Sequence, residues 1–138
     1  MIYVTRRERF SAAHKLYQPK WSKEQNEAVF GKCANENWHG HNFELFVTVK
    51  GEVDEETGFV ADLKDLSKVI KTYAIELLDH RNINLDVPFM AGKMASTENL
   101  AKGIWQQIEE PLAALGCQLH SVRLAETENN SVEYLGES

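Results

Sequence analysis

Cysteine, long apolar runs and excess positive charge are all scarce in this 138-residue chain, and each scarcity removes a class of protein. Two cysteines, Cys33 and Cys117, cannot build a disulfide framework, and a reducing, cytoplasmic setting is expected. No apolar stretch approaches the roughly 18 residues that a membrane span needs, and Arg6 and Arg7 follow too soon after Met1 for a secretory leader. Neither a membrane nor a nucleic acid is therefore expected as a partner, since a net charge of −6 opposes general binding to a polyanion. Low-complexity runs, internal repeats and linkers are missing too. One domain over residues 1–138 is expected, and its 43% hydrophobic content suffices for a core without a metal or disulfide staple.

Against that background, the chemistry is concentrated. Three of the five histidines fall in two short stretches, Phe10-Ser-Ala-Ala-His14 and His39-Gly-His41, with the Cys33 thiol six residues before His39. Positive charge is also uneven. Arg6, Arg7, Arg9, Lys15, Lys20, Lys23 and Lys32 supply seven of the 15 cations, which makes a local anion-attracting region in an acidic protein.

Periodicity places these residues. Ile2 to Phe10 reads as a strand, and its alternation carries through Ala12 to His14. Lys15 to Trp38 is polar and aperiodic, a long insertion with Trp21, Phe30 and Trp38 as anchors. From His39, a second strand alternates His39, His41, Phe43, Leu45, Val47 and Val49 on one face. Gly51 to Gly58 is a turn, with Phe59-Val-Ala expected as the returning strand of a hairpin. Asp62 is a good N-cap for an amphipathic helix to about Leu77. Residues 78–88 read as a loop. A second helix starts near Ser96 or Thr97, with Pro111 expected to kink or restart it. Leu119–Ala125 and Ser131–Leu135 are the last strands. The expected fold is α+β in ββααββ order: a four-stranded antiparallel sheet with two helices on one face, its other face solvated or covered by a partner chain.

Antiparallel pairing of the two strands would bring His14 beside His39 and His41. A lone histidine is usually a capping or core residue, but three on paired strand ends and one face suit a metal. Zinc fits all-nitrogen ligation best, with iron and nickel as the alternatives. Cys33 has three readings here: a fourth ligand that closes the site, a base beside an open position, or an inert thiol. Asp79-His80 reads as a proton-relay pair or as two backbone caps. Glu126, at a strand end, reads as an acceptor for a heterocycle's N–H donors or as a solvated turn acid. Ser96-Thr97-Glu98 reads first as a helix start, and His120 and Cys117 as structural.

These pieces resemble the 6-pyruvoyl-tetrahydropterin synthase family over nearly the whole chain. The resemblance is carried by Phe10-Ser-Ala-Ala-His14, Phe30-Gly-Lys-Cys33 with His39-Gly-His41-Asn42, Gly51-Glu-Val-Asp54 with Thr57-Gly58, Leu78-Asp79-His80, Leu85-Asp-Val-Pro88, Ser96-Thr-Glu-Asn99, and Glu126-Thr with Asn129-Asn130. It implies His14, His39 and His41 as Zn2+ ligands, Cys33 as the proton-abstracting residue, and Asp79 and His80 as its relay. It also implies Glu126 as the pterin anchor, with Ser96, Thr97 and Glu98 at the substrate pocket. The implied fold is the tunnelling fold, in which trimers close their sheets into a barrel and two trimers stack as a homohexamer with active sites between subunits. The implied reaction converts 7,8-dihydroneopterin triphosphate to 6-pyruvoyl-tetrahydropterin with loss of triphosphate. The early Arg/Lys cluster is the expected partner of that triphosphate, an expectation that charge reversal at Arg9 and Lys15 would test through KM. Two positions depart from the animal members: Trp38 replaces a small residue, and Ser96 replaces threonine.

Three other functions share parts of this pattern. 6-Carboxytetrahydropterin synthase, of queuosine biosynthesis, uses the same fold and substrate, but more often has three residues between the cysteine and the histidine pair. This chain has five, Ala34 through Trp38, which favours the pyruvoyl product. A non-catalytic, zinc-stabilised oligomer would use Cys33 to close the coordination shell. A pterin aldolase is disfavoured because such relatives carry glutamate in place of the cysteine.

Overall fold

The computed structural model describes residues 1–35 and 38–137. Glu36 and Asn37, part of the spacing between Cys33 and His39, lie outside the described residues. Two 13-residue strands form the backbone of the fold: β1 (Ile2–His14) and β2 (His39–Gly51) pair antiparallel from Ile2↔Gly51 to His14↔His39. Their period-two alternation puts Phe10, Ala12 and His14 on one face with Phe43, Leu45, Val47 and Val49, all buried. That face is covered by helices, so the histidines stand at one end of the core.

The helices start where their caps place them. Asp62 accepts from the Lys64 N–H at 2.8 Å and begins α2 (Leu63–Ile70). The rod continues through a π-turn over Lys71–Ile75 into a last short turn, α3 (Glu76–Leu78). Ser96 accepts from the Asn99 N–H at 3.2 Å and begins the long helix Thr97–Ala114. Leu66, Ile70, Leu100, Ile104, Ile108 and Leu112 are fully or almost fully buried against the sheet. The helix runs on to Ala114 and does not restart at Pro111. Ile108 and Leu112 anchor the helix on either side of it, and the carbonyl that loses its partner belongs to Gln107, which is half-buried and in reach of water.

Three further expectations are corrected. First, the sheet has five strands, not four, in the order β3-β1-β2-β4-β5. The short β3 (Arg81–Asn82) runs parallel to β1 through Ala12↔Arg81 and Ala13↔Asn82, while β4 (Gln118–Ala125) and β5 (Ser131–Tyr134) are antiparallel as expected. The loop over residues 78–88 thus also contains that strand and a single helical turn, α4 (Ile83–Asp86). Second, Phe59-Val-Ala is not a strand. Asp54 accepts the N–H groups of Glu56 and Thr57 and donates its own to the Phe59 carbonyl, closing the loop on itself before Asp62 starts the helix. Third, the aperiodic insertion holds α1 (Lys23–Phe30), capped by Ser22. It shows no apolar period because its buried residue is polar. Asn26 is fully buried, accepts from the Gln18 N–H at 2.7 Å and donates to the Gln18 and Ser22 carbonyls at 3.0 Å.

Opposite the helices, the sheet face carries polar and charged pairs. Thr5 and Thr48 share a 2.7 Å hydroxyl bond, and the Arg123 guanidinium lies 3.9 Å from the centre of the Phe46 ring. Among the described residues, β1 is paired on its outer edge only at Ala12 and Ala13.

Candidate metal centre and active site

The end of the β1–β2 pair gathers the histidines. The register sets His14 directly across from His39 and Ala12 across from His41, so the three imidazoles share one face. Their ring centres are 4.5 Å (His14–His39), 4.9 Å (His39–His41) and 5.2 Å (His14–His41) apart. A fourth donor joins them. One donor atom each from His14, His39, His41 and Glu126 lies within 4.8 Å of the others, a group that could hold a metal ion.

The nitrogens fit such an ion. His14 Nε2, both ring nitrogens of His39 and His41 Nε2 are buried without a hydrogen-bond partner. Orphaned buried acceptors are costly, and a cation at their focus would remove that cost for one nitrogen on each ring. The His14 ring is oriented from behind, since Nδ1 donates to the Ala95 carbonyl at 2.8 Å and so leaves Nε2 its lone pair. Burial pushes the pKa of His14 below its ordinary value, and burial together with the two neighbouring imidazoles does the same for His39. Both rings are therefore neutral near pH 7, the form that ligates.

Glu126 sits one residue past β4. Continuing the Glu44↔Ala125 pairing by one step brings it beside Phe43, one same-face position from His41. Its Oε1 is 2.8 Å from His41 Nε2 and 3.6 Å from His14 Nε2, though neither contact is an aligned hydrogen bond. Its Oε2 accepts from the buried Thr97 hydroxyl at 2.8 Å. The carboxylate thus touches the imidazoles with one oxygen and Thr97 with the other. The sequence offered Glu126 and Thr97 as separate pocket residues. Their contact, and the place of Glu126 beside the histidines, depend on the β2–β4 register. The Ala95 carbonyl behind His14 has no sequence signal at all. Ser96 serves as the cap of the long helix, and Glu98 is exposed on its first turn.

Cys33 stands in a helical turn over Gly31–Ala34, half-buried, outside the group of four donors. Its carbonyl accepts from the Leu16 N–H at 2.7 Å, which ties the thiol's turn two residues past His14. Asp79 and His80 do meet: His80 Nδ1 is 3.1 Å from Asp79 Oδ2. Both are fixed to β1 through Ser11, whose N–H donates to Asp79 Oδ1 at 2.9 Å and whose carbonyl accepts from the His80 N–H at 2.6 Å. His80 has a φ of 59°, a strained conformation for a residue with a side chain. The Ser11 N–H, above all, holds the Asp79 carboxyl below its ordinary pKa. Among the described residues, no hydrogen bond links this pair to Cys33 within one chain. Arg9 points to the face of β1 opposite His14 and is exposed, whereas Lys15 directly follows His14. His120 packs against Tyr3, and Cys117 is buried.

The chain is similar in sequence and in fold to several known proteins. Residues 3–137 match the family model described as 6-pyruvoyl tetrahydropterin synthase. The chain is 46% identical to the 6-pyruvoyl tetrahydrobiopterin synthase of Homo sapiens, over 97% of this chain and 91% of that protein. It is 42% identical to the enzyme of the same name from Dictyostelium discoideum, over 99% and 97%. The solved structure of Caenorhabditis elegans 6-pyruvoyl tetrahydropterin synthase superposes with a TM-score of 0.86 at 35% identity, over 99% of this chain and 96% of that one.

Proposed function

The chain belongs to the 6-pyruvoyl tetrahydropterin synthase family, and from that premise we propose that it is a zinc-dependent lyase that converts 7,8-dihydroneopterin triphosphate to 6-pyruvoyl-tetrahydropterin and triphosphate. The observation that carries the reading is the cluster of buried imidazole nitrogens without partners, with a carboxylate beside them and a thiol outside their coordination group. His14, His39 and His41 would hold the zinc. Bound there, it would supply Lewis-acid polarisation of the substrate's side-chain oxygens and so acidify the neighbouring C–H.

The remaining roles fall to the protein's own groups. Glu126 accepts the N–H donors of the pterin ring edge, held in that orientation by Thr97, while Ser96 and Glu98 border the pocket. Cys33, as thiolate, takes the proton from the side-chain carbon. Asp79 and His80 move that proton onward, with Asp79 held anionic by its bond from Ser11. The electrons of the broken C–H bond expel triphosphate, and tautomerisation returns a proton to the ring system. Oxidation is redistributed within the substrate, so no redox cofactor takes part.

The exposure of His80 and the lack of a link to Cys33 support a relay that serves the thiol of a neighbouring chain. The polar sheet face and, among the described residues, the mostly unpaired outer edge of β1 and the unpaired outer edge of β5 support closure of a trimer, doubled to a homohexamer. The spacing between Cys33 and His39 favours the pyruvoyl over the carboxy product. Incubation of the zinc-loaded protein with dihydroneopterin triphosphate, followed by mass analysis, tests the reaction. Triphosphate and 6-pyruvoyl-tetrahydropterin are expected in equal amounts; acetaldehyde released in step with triphosphate would assign the carboxy reaction instead.

A further inference from the structure

We infer that Lys15 and Lys23 form the anion subsite that receives the substrate's phosphate tail, with Trp38 and Tyr17 holding the Lys15 ammonium in place. The inference rests on the reaction proposed above and selects two of the seven early cations. Lys15 is the residue after His14, and its backbone is clamped. Its N–H donates to Asn84 Oδ1 at 3.0 Å, and its carbonyl accepts from Asn84 Nδ2 at 3.1 Å. Carrying the His14↔His39 register one step further sets Lys15 opposite Trp38. The ammonium lies 4.7 Å from the centre of the Trp38 ring and 5.2 Å from that of Tyr17. Ring faces hold a cation electrostatically without consuming all of its N–H donors, so the remaining donors stay available to an anion.

Lys15, Tyr17 and Lys23 line one open cavity of about 620 Å3, together with Ala34 and Asn35. Those last two residues follow Cys33, whose carbonyl is bound by the Leu16 N–H. The cavity therefore begins one residue past a member of the metal group at the end of β1 and one residue past the thiol in the turn over Gly31–Ala34. A phosphate chain running out from a pterin side chain held at that centre would have this cationic compartment next to it, in a protein whose net charge is −6. Arg9 has no part in it. It faces the other side of β1, five residues and roughly 17 Å along the strand from His14. Arg6 lines a separate groove with Lys64 and Lys68. One lining group opposes an anion: the Glu27 carboxylate.

The experiment is calorimetric titration of inorganic tripolyphosphate into the zinc-loaded full chain and into K15Q, K15R, K23Q and E27Q, paired with steady-state kinetics on dihydroneopterin triphosphate. Charge-assisted phosphate contacts predict about 10- to 100-fold weaker tripolyphosphate binding in K15Q and recovery in K15R. A smaller loss is expected in K23Q, and tighter binding in E27Q. In turnover, K15Q should raise KM by a similar factor while zinc content stays unchanged. Equal tripolyphosphate affinity in the wild-type protein and K15Q overturns the subsite, whatever the turnover. Absent turnover alongside Lys15-dependent tripolyphosphate binding overturns the reaction and leaves the subsite standing.

Discussion

His14, His39 and His41 stand on the helix-covered face of the sheet with their nitrogens turned toward one another, whereas the His80 ring, held to the same strand through Ser11, is 83% exposed. The first group rides on the interior of two long paired strands, where a one-residue slip would throw every side chain to the other face. The second hangs on a strained turn, with only its backbone and the Asp79 carboxylate fixed. One chain thus encloses the proposed metal half of the site by itself and leaves the proposed proton-transfer pair, Asp79 and His80, at its surface, where the proposed second copy would supply its neighbour.

That contrast breaks in a graded way. The largest effect is expected from H39A, which removes a proposed ligand: bound zinc and turnover should both be lost, as read by metal analysis and product formation. H80A should retain zinc and lose about 10²- to 10⁴-fold in kcat, the usual contribution of a positioned acid–base group. If H80A lost zinc as well, the two halves would not be separate. Coexpression of H80A with a Cys33 variant, and isolation of the mixed oligomer, sharpens the point. Recovered activity is expected there, because one site per pairing regains both groups. T97V, which frees Glu126 Oε2, should cost about 10- to 100-fold in activity or metal affinity.

The two halves should also separate by pH. Burial depresses His14 and His39, so on acidification the unfolded chain takes up protons first, near the ordinary value of 6.5. Stability of the metal-free protein should therefore be full above that pH and fall as pH drops toward the lower folded values. Asp79 is likewise depressed, but from 3.8, so its contribution should persist until pH falls below that value. Chemical denaturation of the metal-free protein at pH 7.5 and 5.5 reads the first window, and H14A should flatten it. The smallest effect is on stability alone: S96A removes a helix cap and should cost about 1 kcal/mol.

The sequence revealed the metal half better than the rest for a physical reason. His14, His39 and His41 extend an alternation that already buries Phe10, Phe43, Leu45 and Val47, so periodicity alone sets their face. Glu126 gives no such signal, because its place depends on a pairing between residues some 80 positions apart, Glu44 with Ala125. The short α1 escaped notice because it is pinned by a buried asparagine rather than an apolar stripe, and β3 because two residues carry no period. The reading of Phe59-Val-Ala as a strand lost to local turn chemistry at Asp54, and a restart of the helix at Pro111 lost to packing by Ile108 and Leu112.

The central claim is that Cys33 works beside the metal group without belonging to it. C33A, assayed for zinc content and for turnover of dihydroneopterin triphosphate on the same preparation, tests it most directly. The account predicts zinc at the wild-type level with turnover down by about 10²- to 10⁴-fold. Loss of zinc together with the thiol, and with it the fold, would contradict it and make Cys33 a structural ligand.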